Sequence, residues 1–290
     1  MPLCTLHLLA LHPSTPSPLP TFLSTLRSTS LTPLVISRVI RWIILPSTLS
    51  TEKLLAQNIA WDILLILPST DPVPAPLKTL IREEWNITAG VPSRLVTDFA
   101  RKNSALLHPA PSSIPPLSPP STTKKTTPSA QDLSLSADLD AWIDAFVQRG
   151  GHGAVSMFNL LAFRPGRKAE YVQYGNAFAA SVGSAHGGCA KIVGTVTHVD
   201  GVPKRTSLSR AGDEAESQGG AVREWDEIAL AQYPSILHFR DMLASEEYQA
   251  VNQKFRVPSL LDTAILMTSE VLVEEVELQN QGEKGRGSKL

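Results

Sequence analysis

Two stretches of this chain carry the same signals in the same order, and that repetition restricts the fold more than any bulk property does. Leu6-His7-Leu8-Leu9-Ala10-Leu11-His12-Pro13-Ser14 lines up with Phe158-Asn159-Leu160-Leu161-Ala162-Phe163-Arg164-Pro165-Gly166 at an offset of 152. Trp61-Asp62 opens an apolar run that closes at Pro68-Ser69, and Trp225-Asp226 opens one that closes at Pro234-Ser235. Glu83-Glu84-Trp85-Asn86 echoes Glu246-Glu247-Tyr248-Gln249, and Val91-Pro92-Ser93 echoes Val257-Pro258-Ser259. Four matches in one order, with offsets from 152 to 166, point to an internal duplication. Between the copies, residues 109–135 are dominated by Pro, Ser and Thr, which bury little apolar area and read as a semi-extended linker. The division is therefore 1–108, the linker 109–135, 136–278, and a Gly-rich flexible tail 279–290.

Each half reads as strand, helix, strand, strand, helix, strand. In the first half, Leu3 to His12 and Leu34 to Leu45 are strands, while a final strand near Leu95 to Phe99 is weakly marked. In the second, Val155 to Phe163 is apolar at both parities, as expected of a strand covered on both faces. Lys168 to Ser184 lines Tyr171, Tyr174, Phe178 and Val182 along one helical face, and Cys189 to Val199 is the next strand. A Gly/Ser/charged excursion from Asp200 to Arg223 delays the partner strand ending at Tyr233. Ser235 and Ser245 sit where helix N-caps belong, and Ala264 to Val273 completes the sheet. Ala137 to Arg149 adds an amphipathic helix that ends at Gly150-Gly151. The order β-α-β-β-α-β is the split βαβ arrangement, with both helices on one face of a four-stranded sheet. The other face is equally apolar and needs a second sheet against it. The expected fold is α+β: two tandem ferredoxin-like halves packed sheet to sheet as an intrachain pseudo-dimer.

The second half resembles the dimeric alpha-beta barrel superfamily, and most closely a domain of unknown function within it. The carriers are Asn159 inside an apolar first strand, Tyr171-x-x-Tyr174, the Trp225-Asp226 strand, the Pro234-Ser235 turn, the Ser245-Glu-Glu-Tyr248 step and Arg256. The first half is similar only faintly, with His7 at the Asn159 position and no Tyr-x-x-Tyr. The resemblance implies a superfamily of cofactor-free monooxygenases, isomerases, cyclases, decarboxylases and haem enzymes, so it does not choose a reaction.

Asn159 is the most informative single residue, because an amide in a central apolar strand must find hydrogen bonds. It either orients a substrate carbonyl or hydroxyl, or bonds to neighbouring backbone or a tyrosine hydroxyl. Tyr171 and Tyr174 either donate into the same cleft or pack as an ordinary apolar face. His186, in a turn, and His238, in the first turn of a helix, are the histidines placed to line a cleft mouth and carry a proton, or are plain surface residues. Tyr248 and Arg256 are candidate ligand-binding residues, with Arg256 facing a carboxylate or helix-terminal carbonyls. Trp225-Asp226 and Trp61-Asp62 read as structural. The seven histidines show no metal-ligand spacing, and no Gly-rich phosphate loop or Rossmann fingerprint occurs, so neither a metal nor a nucleotide cofactor is expected.

A net charge of -1, with Lys124-Lys125 the densest basic pair, gives no footprint for nucleic acid, and no run of 18 apolar residues suggests a membrane span. Cys4 and Cys189 read as apolar fillers. Ser288-Lys289-Leu290 matches the tripeptide read by the peroxisomal import receptor, so the expected compartment is the peroxisome. The first 51 residues lack Asp and Glu as a transit peptide does, but their strand pattern opposes an amphipathic Arg helix. Two functions fit: a cofactor-free isomerase, cyclase or oxygenase acting on a small apolar or aromatic carbonyl compound, as in secondary metabolism, or a noncatalytic ligand carrier or peroxisomal assembly partner. A homo-oligomer is compatible with either.

Overall fold

Along β1 (Leu3–Leu11), Cys4, Leu6, Leu8 and Ala10 turn to one face while Leu9 and Leu11 turn to the other, and all are buried. A strand covered on both sides lies between two apolar layers. The computed structural model describes residues 1–118, 126–204 and 223–287. The first half continues through α1 (Pro18–Arg27), β2 (Val35–Ile44), β3 (Ile63–Leu67), the single turn α2 (Ala75–Lys78) and β4 (Ile81–Gly90). After α3 (Ser93–Val96), α4 (Phe99–Leu107) and the linker come α5 (Ala137–Gln148), β5 (Val155–Phe163), α6 (Lys168–Ala177) and β6 (Cys189–Val199). The short β7 (Val202–Pro203), β8 (Glu227–Tyr233), α7 (Ile236–Ala244), α8 (Glu246–Val251), β9 (Leu260–Ser269) and α9 (Val271–Gly287) complete the described chain.

The strand order is β4-β1-β3-β2-β9-β5-β8-β6, with β4 also paired to β6, so eight antiparallel strands close into a barrel and β7 is a flap on β6. Each half has the ferredoxin-like order, and the two sheets share one interior. Leu6, Leu8, Ile66 and Ile87 from the first half meet Phe158, Leu160, Leu230 and Leu266 from the second. Helices cover the outer faces over two further apolar layers. The expected pseudo-dimer of two sheets is what forms, and edge pairing at β2–β9 and β4–β6 leaves none of these eight strands with a free edge. At the β4–β6 seam, a Cβ on Gly194 would lie 3.0 Å from Ala89 Cβ and 3.1 Å from the Gly90 carbonyl, which is why glycine stands there.

The duplication is visible atom by atom. Asp62 Oδ2 accepts the Leu11 N–H at 2.7 Å, and Asp226 Oδ2 accepts the Phe163 N–H at 2.7 Å, with Leu11 and Phe163 related by the same 152-residue offset. The two Asp N–H groups donate to Leu9 and Leu161 carbonyls.

Several expectations need correction. Glu83 to Asn86 do not match the Glu246 helix; they lie in β4, where Trp85, Ile87 and Ala89 alternate into the barrel. The second crossover helix of this half has shrunk to α2, so the real last strand comes earlier than Leu95 to Phe99, which falls instead across α3 and the start of α4. The linker is no simple tether, because Leu133 and Leu135 are buried in the second half's helical layer. The last strand is β9, ending at Ser269, and the tail backbone stays helical to Gly287. Ser288-Lys289-Leu290, Lys124-Lys125 and most of the Asp200 to Arg223 excursion lie outside the described residues.

Two buried polar clusters tie the halves together. The Asp262 carboxylate accepts from the backbone and hydroxyls of Ser47 and Thr48 and from the Leu49 N–H. Lys191 pairs with Glu270, and Asn103 of α4 bonds to both.

Candidate functional site

On the outer face of the second sheet, β5 presents Met157, Asn159 and Leu161 toward α6, while its neighbour β8 presents only Ala229 and Ala231 opposite Asn159 and Met157. With Ala190 of β6 also small, the sheet does not fill the space beneath the helix. A cavity of about 490 Å³ remains, within the range of small-ligand sites. Tyr171, Tyr174 and Phe178 form its helical wall and Tyr233 its far side. Tyr171 and Tyr174 rings lie 5.4 Å apart, and Tyr174 lies 6.2 Å from Phe178.

Asn159 is 8% exposed, and its Nδ2 donates to the Met157 carbonyl at 2.8 Å and, more weakly, to the Ala229 carbonyl at 3.5 Å. One end of the amide is therefore held by backbone. Among the described residues no donor reaches Oδ1, which leaves an acceptor at the cavity floor.

The Tyr174 hydroxyl bonds to that of Tyr248 at 3.0 Å, and Tyr248 stands behind the wall with no exposure. Burial pushes the Tyr171 phenol far up, the neighbouring Tyr174 adds to the rise, and Arg256 pulls part of it back. Burial also raises Tyr174, with Arg256 and the Tyr248 hydrogen bond opposing. Both phenols thus keep their protons through neutral pH and act as donors. Arg256 is 1% exposed, its Nη2 bonds to Thr263 Oγ1 at 3.2 Å, and among the described residues no carboxylate stands at ion-pair distance. It is a buried cation behind the tyrosines rather than a residue at the cavity surface.

The structure thus brings Asn159, Tyr171 and Tyr174 to one cavity, with Tyr248 and Arg256 supporting them. His186 and His238 are not brought there. His186 Nδ1 lies 3.1 Å from Asp241, whose carboxylate also accepts from Ser118 of the linker. His238 Nε2 donates to the Pro115 carbonyl at 3.0 Å, and its Nδ1 lies 2.8 Å from Ser235 Oγ. His238 holds the linker to α7 directly and His186 shares the Asp241 carboxylate with it, long-range contacts that local sequence does not reveal. Among the lining residues not anticipated are Glu227, paired with Lys168; Leu133, inserted from the linker with φ 56; and the exposed Arg94, which reaches the mouth from the first half. The alternation Glu227-Ile228-Ala229-Leu230-Ala231 was the available signal for Glu227, since it sets a carboxylate and two small residues on one face.

No protein-family model matches the sequence, and no curated protein matches it. Among solved structures, a protein of unknown function from Rhodopseudomonas palustris is similar at 22% identity over 43% of this chain and 89% of that one, with a TM-score of 0.30. A structure from Lactobacillus acidophilus described as a candidate monooxygenase aligns over 92% of this chain and 93% of that one, at 6% identity and a TM-score of 0.42. Neither brings a residue role with it.

Proposed function

We propose that this chain is a peroxisomal member of the dimeric alpha-beta barrel group that works without a cofactor on a small apolar or aromatic carbonyl compound, held beneath α6 of the second half. The observation that carries this reading is the Asn159 Oδ1, which meets no donor among the described residues, on the floor of a largely apolar cavity walled by Tyr171 and Tyr174. In this reading a phenol donates to the substrate carbonyl, Asn159 Oδ1 accepts from a hydroxyl or enol, and Glu227 is the carboxylate placed to take a proton. Isomerisation or cyclisation through an enol needs those three roles and nothing redox-active.

A second reading, a noncatalytic carrier, is favoured by the position of both histidines away from the cavity. Native purification followed by denaturation and mass spectrometry of released small molecules tests the shared premise. Wild type should release an aromatic or apolar carbonyl compound that Asn159→Ala does not; equal retention by both would remove Asn159 from the site. Turnover of the released compound by wild type separates enzyme from carrier. The compartment rests on Ser288-Lys289-Leu290, and deleting Leu290 from a fluorescent fusion should disperse it into the cytosol.

A further inference from the structure

We propose that the first half carries a second ligand site of different chemistry, organised by His7 and Glu84. His7 stands 152 residues before Asn159, on the same outward face of the equivalent first strand, and it too lines a cavity of about 490 Å³. The equivalent positions are furnished differently. Around His7 the walls carry Thr5, Thr70, Thr88 and Asn86 beside Leu3, Pro72 and Val73, so polar side chains alternate with apolar ones.

His7 is 4% exposed, and its Nδ1 lies 2.6 Å from Glu84 Oε1. The hydrogen bond from His7 pulls the Glu84 carboxyl below its usual range, against the opposing effect of burial, with an Asn86 hydrogen bond assisting. An ionised carboxylate only accepts, so Nδ1 carries the proton and, in the neutral ring, Nε2 is a bare acceptor. That Nε2 is buried and has no hydrogen-bond partner among the described residues. At its counterpart Asn159, too, the side-chain acceptor meets no donor among the described residues. A buried polar atom is ordinarily paired, and for the neutral ring the missing partner is a donor.

Charge selects the ligand further. Glu84 and Asp71 border the cavity with Lys78, so the surroundings do not favour an anion. Among the described residues no group of three His, Cys, Asp or Glu side chains is arranged to hold a metal ion. The chemistry left is a small, neutral, hydroxyl-rich molecule of the polyol or sugar class: one hydroxyl donates to His7 Nε2 while the others meet the threonine hydroxyls and Asn86. The carboxylate-imidazole pair leaves Nε2 able to accept a proton from that hydroxyl.

The test is long-range proton–nitrogen NMR on the full chain labelled with [15N]histidine, titrated with erythritol, myo-inositol and, as an apolar control, benzaldehyde. His7 should occupy the Nδ1–H tautomer, and its Nε2 signal should move saturably with at least one polyol and not with benzaldehyde. Glu84→Gln and the wall variant Thr88→Val should each weaken that response about tenfold. Asn159→Ala should leave it unchanged. An Nε2–H tautomer, a His7 signal indifferent to both polyols, or wild-type polyol binding in folded Glu84→Gln and Thr88→Val would overturn the proposal.

Discussion

Removing the Asp262 carboxylate should cost as much as truncating a large buried apolar side chain at the seam between halves. Asp262 is 3% exposed and accepts from Ser47 N at 3.0 Å, Ser47 Oγ at 2.8 Å, Thr48 N at 2.9 Å, Thr48 Oγ1 at 3.0 Å, Leu49 N at 2.8 Å and Thr263 N at 2.9 Å. Hydrogen bonds to a charged acceptor contribute about 1.5 to 3 kcal/mol each, but these share one acceptor and the Ser47 loop can turn to water, so they do not add. Asp262→Ala should therefore lose about 3 to 5 kcal/mol, the range for breaking a buried charged network. Asp262→Asn turns an NH2 group toward donors but keeps one acceptor oxygen, and should lose somewhat less. Burial raises the Asp262 carboxyl, yet the bonds from Ser47, Leu49 and Thr48 outweigh it and leave it below the ordinary value. A depressed folded pKa means the stabilisation is fully present above the unfolded value, about 3.9, and fades as pH falls through the folded one. Urea melts at pH 7, 4.5 and 3 should then show the gap between wild type and Asp262→Asn constant at the first two and narrowed at the last. A gap that stays flat to pH 3, or an Asp262→Ala cost under about 1 kcal/mol, would refute the reasoning.

Asn159→Leu should abolish ligand retention while changing urea stability by less than about 1.5 kcal/mol, since Leu fills part of the cavity and leaves no amide to satisfy. Lys191→Met strands the buried Glu270 with only Asn103 and should cost about 3 kcal/mol, whereas Lys191→Met with Glu270→Met should recover most of it; equal losses in thermal melts of single and double variants would contradict the pairing. Gly194→Val at the β4–β6 seam should cost about 2 kcal/mol or more by crowding Ala89 and Val91, and Gly194→Ala less, as read from denaturation midpoints.

What could be read in advance was whatever a short window contains. The strand Val155–Phe163 shows itself because both parities are apolar, and the caps Ser235 and Ser245 bond to Leu237 N and Tyr248 N as their positions suggest. The segment Glu83 to Asn86 misled because its resemblance to a helix start outweighed the two-residue alternation of Trp85, Ile87 and Ala89. In the site, Asn159 with Tyr171 and Tyr174 follows from one strand and the helix after it. Arg94, Leu133, the bond of His238 to the linker and that of His186 to Asp241 depend on which distant segments the barrel brings together, and no local period encodes that.

The closed barrel also changes how the two halves can vary. In a pair of identical chains, every substitution occurs twice, so a residue suited to one outer cavity is imposed on the other. Here one chain supplies both sheets, and each outer face can be altered alone while the shared interior holds both in place. Position 159 holds an amide while position 7 holds an imidazole. A scaffold built by joining two copies is free to keep two specificities in one molecule.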